Sequence, residues 1–581
     1  MGSGGAGYQK LINAMAKSKK TTYTEAPGEQ LSDAVATTCK SVLAWLRGTA
    51  VPILLSTQLA TPATAYNGPY STLVTVQPGV QLDTDVRWPD KGVMPANGWP
   101  VIIFAHGAAG DKNSNAGRAS QYADNGYVTL TYTNRTRDQW LPTNFANDVV
   151  ALKNWLLNNF ELEAGIFAPT NADAYGMTGN SLGGYTTWSV VLLSDALAAA
   201  VPFNFGYHNF IDYIANNGSI ELTTGANQAM VLPGEYPAAA LDQALDAVFG
   251  PVIANMPSVT IPVQNHIAML DARWPGTYAL SDHLAISSSQ QRMLYLGTGG
   301  HGTPNGDALF RDDLRKRWFD HYLKGEINGI DSEEPVRMAL LGTNEHLSFS
   351  SWPPAAQSSD ELFLAENGRL MLSPPTAAVK SDIFVNNPGN LSWETASDLS
   401  ASTIRSEVVK DLLSYDSAPL ANDTLVVGEP SVSLYVEGSG SRYQINAHLY
   451  DVSPQDEPIL LAAGTTTTNL SPTQLTISLS ATGRRVPAGH RLRLEITNRD
   501  DQDVDYSNGY APESGVLRFV PFLEYSENKV FFDASRPSSI TIPILDASEL
   551  ELNAFEIPLL PWIGSTATLI ILGAIGMRKM C

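Results

Sequence analysis

The clearest chemistry in this chain lies in the run GNSLGG at residues 179–184, where a serine stands between glycines. A short apolar strand is predicted at 174–177 and a helix at 185–193. A strand–turn–helix of this kind holds a serine hydroxyl on a sharp turn, where it can act as a nucleophile. A Cβ on the flanking glycines would collide with the neighbouring strand or helix. Ser181 is therefore the predicted nucleophile, and a structural turn is the alternative.

A serine hydroxyl needs a general base, which is itself oriented by a carboxylate. In strand–turn–helix hydrolases the chain order is serine, acid, histidine. Of the nine histidines, His301 follows a predicted strand at 292–296 on a glycine-rich loop, from which it could reach the serine. His301 is the predicted base, and the other histidines after Ser181 are interpreted as ordinary surface or core residues.

The acid is expected on the loop after the preceding strand, which the apolar pattern predicts at 259–263. Asp271 lies on that loop and is the predicted acid. Asp282 is the nearest competitor, but it lies deeper in the predicted following helix. The alternative for Asp271 is a helix cap or an ion pair with Arg273.

A tetrahedral oxyanion needs two hydrogen-bond donors. The first predicted donor is the backbone N–H of Leu182, directly after the nucleophile. The second is expected from Gly107 or Ala108, on the loop of small residues that follows a predicted strand at 101–104. His106 begins this loop and is interpreted as a structural histidine.

The predicted strands and helices around these residues must bring them together. From 66 to 334, short apolar strands alternate with amphipathic helices, which indicates βαβ units and a mainly parallel sheet. At about 203–257, helical sequence with many glycines and prolines predicts a cap insertion over the carboxyl end of the sheet. From 335 to 550, short strands between turn clusters predict an all-β jelly roll or sandwich. The predicted fold class is an α/β-hydrolase domain with a helical cap, followed by an all-β domain.

The two ends carry targeting signals. Residues 1–65 contain basic residues, an uncharged run and the sequence ATA at 63–65, which predict an extension with a possible signal segment. The alternative is a disordered extension that ends in a surface helix. The uncharged run 557–577, followed by Arg578 and Lys579, predicts a transmembrane or sorting helix, with a buried core helix as the alternative. These signals predict a bacterial envelope protein, exported and either anchored by this helix or secreted after its removal.

Composition limits the possible partners. The 581 residues include 36 Lys and Arg against 58 Asp and Glu, for a net charge of −22. This balance argues against nucleic acid as a partner, because phosphate binding needs a basic surface. The two cysteines, Cys39 and Cys581, lie near the chain ends and offer neither a disulfide framework nor a thiolate metal site. No metal or organic cofactor is expected, and the oligomeric state is left open.

Three further runs resemble one family. They are RWFDHYLKGE at 317–326 with the residues up to 337, RVPAGHRLRL at 485–494, and the acid loop from Asp271 to Tyr278. Together with the serine turn they resemble the Xaa-Pro dipeptidyl-peptidase and cocaine esterase family of serine hydrolases, over about residues 98–545. The resemblance implies a catalytic α/β-hydrolase domain, a C-terminal jelly roll, and an activity among peptidases, ester hydrolases and acylases.

This chain departs from the family at two positions. Leu182 stands where the family usually has tyrosine, and the loop after Phe104 lacks the family's tyrosine donor. The oxyanion hole is therefore expected to use backbone N–H groups alone, and the family's substrate preference is not carried over.

The leading hypothesis is a serine hydrolase that cleaves a carboxylic ester or amide of a small molecule or short peptide through an acyl-enzyme. The lipase-like serine turn favours an esterase. The first alternative is an Xaa-Pro dipeptidyl-peptidase, which would need carboxylates such as Asp212 or Glu235 to hold a substrate α-amino group. The alternative from another class is a surface-anchored binding protein without catalysis.

Overall fold

A computed structural model describes residues 66–546, apart from 109, 136–140, 209–248, 272–275, 288–290, 299, 302–307, 356, 392–403, 405, 441–442, 469–472, 501–518, 520 and 522. The predicted signal segment, the predicted C-terminal helix, and most of the predicted cap with Asp212 and Glu235 lie outside these residues. Within the part of the chain that is described, no helix is long and apolar enough to cross a membrane.

The first sheet has ten strands in the order β1-β2-β4-β3-β5-β6-β7-β8-β9-β10. Strands β3 to β9 pair in parallel, whereas β1, β2 and β10 are antiparallel to their neighbours. The central strands are buried on both faces, as expected for the predicted parallel sheet. The bounds are β1 Tyr66–Gln77, β2 Val80–Pro89, β3 Trp99–Ala105, β4 Val128–Tyr132, β5 Thr170–Asn180, β6 Ala199–Phe203, β7 Val263–Ala268, β8 Arg292–Gly297, β9 Val336–Ala339 and β10 His346–Phe349.

Helices cover both faces of this sheet. Their bounds are α1 Ala116–Asp124, α2 Pro142–Asn158, α3 Phe160–Ala164, α4 Leu182–Leu193, α5 Gly276–Ala285 and α6 Ala308–Lys324. On β3, Val101 and Ile103 face a core with α2 and α4, while Ile102 and Phe104 face a core with α1 and α6. The alternation follows from the two-residue period of a strand, and it makes the sheet the middle of three layers.

The second region is β-rich, as the sequence predicts. Fourteen strands form one branched sheet, in which all pairs are antiparallel except β12 with β14. The bounds are β11 Gln357–Ala365, β12 Arg369–Met371, β13 Ser381–Asn386, β14 Leu412–Asp416, β15 Thr424–Gly428, β16 Ser431–Gly438, β17 Tyr443–Val452, β18 Pro458–Thr468, β19 Thr473–Ser478, β20 Thr482–Val486, β21 Arg491–Thr497, β22 Ser526–Asp533, β23 Arg536–Pro537 and β24 Ser539–Leu545.

The two regions share a continuous apolar core. Leu294 and Leu296 of β8 belong to the same buried cluster as Leu340, Leu347 and many residues of the second sheet. Strands β9 and β10 lie beyond the boundary expected at residue 334, yet they pair with the first sheet. The domain boundaries of the sequence analysis stay predictions, and these two strands form the structural link between the regions.

The position of one predicted strand is wrong. The strand expected at 259–263 is observed at Val263–Ala268, because residues 256–258 form a 3-10 helix. Its polar residues hide it from an apolar pattern, although all six side chains are buried. Gln264 Oε1 accepts a hydrogen bond from His266 Nε2 at 2.7 Å, and Gln264 Nε2 donates to the Leu314 carbonyl oxygen. Hydrogen bonding therefore makes polar residues acceptable in this buried strand.

Candidate active site

Ser181 lies on the turn between β5 and α4. Its backbone has φ 59° and ψ −119°, a conformation that is strained for a residue with a Cβ. A Cβ on Gly179 would lie 2.6 Å from the backbone of Gly183, and one on Gly183 would lie 2.4 Å from the Ala105 carbonyl oxygen. Only glycine fits at either position, so strand, turn and helix can approach closely enough to present the serine.

The hydroxyl of Ser181, the imidazole of His301 and the carboxylate of Asp271 lie in one line of hydrogen bonds. Ser181 Oγ is 2.7 Å from His301 Nε2, and His301 Nδ1 is 2.7 Å from Asp271 Oδ2. The serine and histidine are 120 positions apart in the chain. Both His301 and Asp271 are buried, and Ser181 is partly exposed. The structure therefore brings the three predicted catalytic residues together.

Asp271 follows the end of β7 by three residues, and His301 follows the end of β8 by four. Parallel neighbouring strands end at the same edge of a sheet, so both loops meet the serine turn there. The competitor Asp282 lies elsewhere, on α5. Its carboxylate accepts hydrogen bonds from the backbone N–H groups of Tyr207 and His208, and burial raises its pKa.

Two asparagines that the sequence analysis did not identify hold the loop of His301. The side-chain amides of Asn180 and Asn204 donate to the His301 carbonyl oxygen at 3.0 and 3.2 Å. Asn204 Oδ1 also accepts the Ala268 N–H at the end of β7, 2.9 Å away. Asn204 has φ 47°, which asparagine tolerates better than most residues. An asparagine directly after a strand that ends at the site was the available signal.

The loop after β3 passes close to the nucleophile. A methyl group on Gly107 would lie 3.9 Å from Ser181 Cβ. His106 Nε2 accepts the Asn134 N–H at 2.8 Å, so its Nδ1 carries the proton and donates to the Gly107 carbonyl oxygen at 2.7 Å. That oxygen also accepts the Gly110 N–H at 2.9 Å. Burial lowers the pKa of His106 and favours the neutral ring that this arrangement requires.

Leu182 is the first residue of α4, and its N–H belongs to the first turn, whose N–H groups have no partner within the helix. The N-terminus of α4 thus points partial positive charge at the region next to Ser181. Leu182 itself is buried, whereas Ala108 is exposed and Gly107 is partly exposed. Leu182 and Gly107 therefore lie close to Ser181 on two different elements, and Ala108 follows Gly107 in the chain.

A cavity of about 460 Å³ adjoins these residues, and its walls include Gly107, Asn180 and His301. Its lining also includes the three arginines Arg118, Arg311 and Arg315, which the sequence analysis did not single out. Among the described residues, no group of three or more His, Cys, Asp or Glu side chains is placed to hold a metal ion.

Both regions of the chain are similar to known proteins. Residues 328–541 match the family model of the X-Pro dipeptidyl-peptidase C-terminal non-catalytic domain. Cocaine esterase from Rhodococcus sp. (strain MB1 Bresler) is 22% identical over 325 residues, which cover 48% of this chain and 56% of the relative. The chain thus spans about half the length of the curated relatives that it matches first.

Solved structures share the fold across both regions. A CocE/NonD family hydrolase from Staphylococcus aureus superposes with a TM-score of 0.61 at 15% identity, covering 82% of this chain and 93% of that chain. An aminopeptidase from a marine sediment Thaumarchaeota archaeon gives a TM-score of 0.59 at 17% identity, covering 86% and 99%. The predicted α/β-hydrolase fold with a β-rich C-terminal region is confirmed, as is the resemblance to the Xaa-Pro dipeptidyl-peptidase and cocaine esterase family.

Proposed function

We propose that this chain, which resembles the Xaa-Pro dipeptidyl-peptidase and cocaine esterase family, is a serine hydrolase that cleaves carboxylic esters through an acyl-enzyme. The observation that carries the proposal is the pair of 2.7 Å hydrogen bonds that joins Ser181 to His301 and His301 to Asp271. A hydroxyl, an imidazole and a buried carboxylate in this order are the groups that acyl transfer requires.

In the proposed reaction Ser181 Oγ attacks the carbonyl carbon while its proton moves to His301 Nε2. Asp271 accepts the hydrogen bond of His301 Nδ1–H and stabilises the imidazolium that forms. The tetrahedral intermediate collapses when His301 gives its proton to the departing alcohol oxygen. A water molecule, deprotonated by His301, then attacks the acyl-serine and releases the acid, which regenerates the serine hydroxyl.

The oxyanion would accept hydrogen bonds from two backbone N–H groups. Leu182 N–H lies in the first turn of α4, next to the nucleophile. The Gly107 carbonyl oxygen accepts hydrogen bonds from His106 Nδ1 and from the Gly110 N–H. Because a trans peptide directs its C=O and N–H in opposite directions, Ala108 N–H points away from the His106 ring. We therefore favour Ala108 over Gly107 as the second donor.

Ester cleavage is favoured over Xaa-Pro peptide cleavage by the charge beside the site. A peptidase of that kind must hold a protonated α-amino group, and a carboxylate is the natural partner. In the described part of the cavity next to His301, three arginines face a single aspartate. Positive charge of this kind repels an ammonium group.

The test is an active-site label combined with two substrate classes. A fluorophosphonate probe should label the wild-type protein and Ser258→Ala, a control at an exposed serine, but not Ser181→Ala. Without the probe, the wild-type protein should hydrolyse p-nitrophenyl esters faster than Xaa-Pro anilides. Equal labelling of Ser181→Ala would show that the probe reacts at another residue and would overturn the role of Ser181, whereas no labelling of the wild-type protein would favour a non-catalytic binding protein. Faster cleavage of the anilides would replace the esterase by a dipeptidyl-peptidase.

A further inference from the structure

The cavity next to His301 carries an excess of positive charge. Arg118 comes from α1, and Arg311 and Arg315 come from the first two turns of α6. The one carboxylate on the same wall, Asp312, accepts a hydrogen bond from Arg315 at 2.7 Å. Three guanidinium groups against one carboxylate leave two positive charges uncompensated on this wall, in a chain whose net charge is −22. We call this space the arginine cavity.

Among the described residues, no ion pair is formed by Arg118 or Arg311, although the Asp312 carboxylate also attracts Arg118 at longer range. Arg118 donates to the neutral Asn115 side chain at 3.2 Å. Arg311 lies 5.8 Å from the ring centre of Phe203, and its buried Nε has no hydrogen-bond partner. The positive charge of Arg315, followed by burial, lowers the pKa of Arg118 to about 10. Like charges at close range destabilise a fold unless an anion joins them.

The position of the arginine cavity connects it to the reaction. The lining of the cavity also includes Gly107, Asn180 and His301, and His301 is hydrogen-bonded to Ser181. A small organic anion could thus contact Arg311 with one end and extend toward Ser181 with the other. The cavity lies between the N-terminal ends of α1 and α6, whose backbone dipoles add further positive potential.

We propose that the arginine cavity binds a carboxylate on the substrate, so that the preferred substrates are esters with a free carboxylate a few bonds from the scissile carbonyl. This inference rests on the proposed hydrolase function and narrows its substrate class. Arginine suits the task because its planar group can donate two parallel hydrogen bonds to a carboxylate. The volume of about 460 Å³ lies in the range of small-molecule sites.

The kinetic test compares two esters of the same length. One is the mono-p-nitrophenyl ester of glutaric acid, with a free carboxylate, and the other is its neutral methyl ester at that carboxylate. Wild type should favour the anionic ester in kcat/KM. In Arg311→Gln and in Arg118→Gln this preference should fall by about 10- to 100-fold, the value of one lost charged hydrogen bond. Arg317→Gln, at a position on α6 whose side chain pairs with Glu333 and does not line the cavity, should keep the wild-type preference.

A binding measurement separates this inference from the proposed function. Calorimetry with glutarate should show binding to wild type and to Ser181→Ala, and clearly weaker binding to Arg311→Gln, even if the chain hydrolyses no ester. Equal glutarate binding by wild type and Arg311→Gln would overturn the inference. So would an unchanged ester preference in both arginine variants. Inorganic phosphate that binds as tightly as glutarate, together with no ester preference in wild type, would also overturn it, because the cavity would then hold a free anion.

Discussion

The two regions of this molecule each contain a histidine bonded to a buried aspartate, yet only one pair stands next to a nucleophile. At the edge of the first sheet, His301 Nδ1 lies 2.7 Å from Asp271. In the second sheet, His490 Nδ1 lies 2.6 Å from Asp451. The distances alone do not distinguish the pairs.

The difference lies in the remaining partners. His301 Nε2 faces the hydroxyl of Ser181, whereas Asp451 also accepts two hydrogen bonds from Arg484 at 3.0 and 3.1 Å. Arg484 in turn donates to the Leu341 carbonyl, just beyond β9. One carboxylate orients a base, and the other anchors a guanidinium that ties the two regions together. A histidine–aspartate pair therefore indicates chemistry only when its free nitrogen meets a reactive group.

Removing the charge of each aspartate should separate the two roles most strongly. Asp271→Asn keeps the side-chain shape but favours the wrong tautomer of His301, so kcat for a p-nitrophenyl ester should fall by about 10⁴-fold. The midpoint of thermal unfolding should stay close to that of wild type. A fall of less than tenfold would show that Asp271 does not orient the base.

Asp451→Asn should have the opposite profile. It leaves the partly buried guanidinium of Arg484 without its carboxylate, and this should cost about 3 kcal/mol of unfolding free energy, the lower end of the cost for a buried pair. Urea titration measures this loss, while kcat per folded molecule should remain at the wild-type value at low temperature. Unchanged stability would mean that Asp451 is not the anchor described above.

His283 is a buried histidine that, unlike His301 and His490, has no carboxylate partner among the described residues. Burial, followed by the charge of Arg292, lowers the pKa of His283 to about 3. The folded state thus favours the neutral ring, so its stabilising effect is present above pH 6.5 and is lost as pH falls toward 3. Between pH 6 and 4, the unfolding free energy of wild type should fall by about 1.4 kcal/mol per pH unit more than that of His283→Gln.

His321→Gln is the matched control for this measurement, because the His321 side chain is partly exposed near the end of α6. Its unfolding free energy should follow the wild-type pH dependence. Identical pH slopes for His283→Gln and wild type would contradict the role given to burial.

The smallest expected effect concerns the support of His301. Asn204→Gly removes the amide that donates to the His301 carbonyl, while it tolerates the positive φ at this position. We expect kcat to fall about tenfold with KM unchanged, since a shift of the base alters the reacting geometry and leaves substrate binding intact. Labelling by the fluorophosphonate should slow in parallel. A rise in KM alone would make Asn204 a binding residue instead.

The local features of the site were predictable where short-range rules apply. The glycines around Ser181 are required by close backbone approach, and the order serine, acid, histidine identified Asp271 and His301 in advance. The strand β7 was misplaced because it contains buried polar residues. Asn204 was missed because its place directly after a strand does not by itself reveal the long-range contact with the His301 loop. The terminal segments and most of the cap lie outside the described residues, so their predictions stand unchanged.

The sequence by itself determined which residue types could perform acyl transfer and on which elements they lie, because glycine sterics and strand periodicity act over a few neighbouring residues. Only the tertiary structure showed that Asn180 and Asn204 hold the loop of His301, and that three arginines from two helices line a cavity beside it. Those contacts join residues up to about two hundred positions apart, and they depend on how parallel strands bring their carboxyl ends to one edge. A local sequence pattern carries no information about contacts between residues so far apart in the chain.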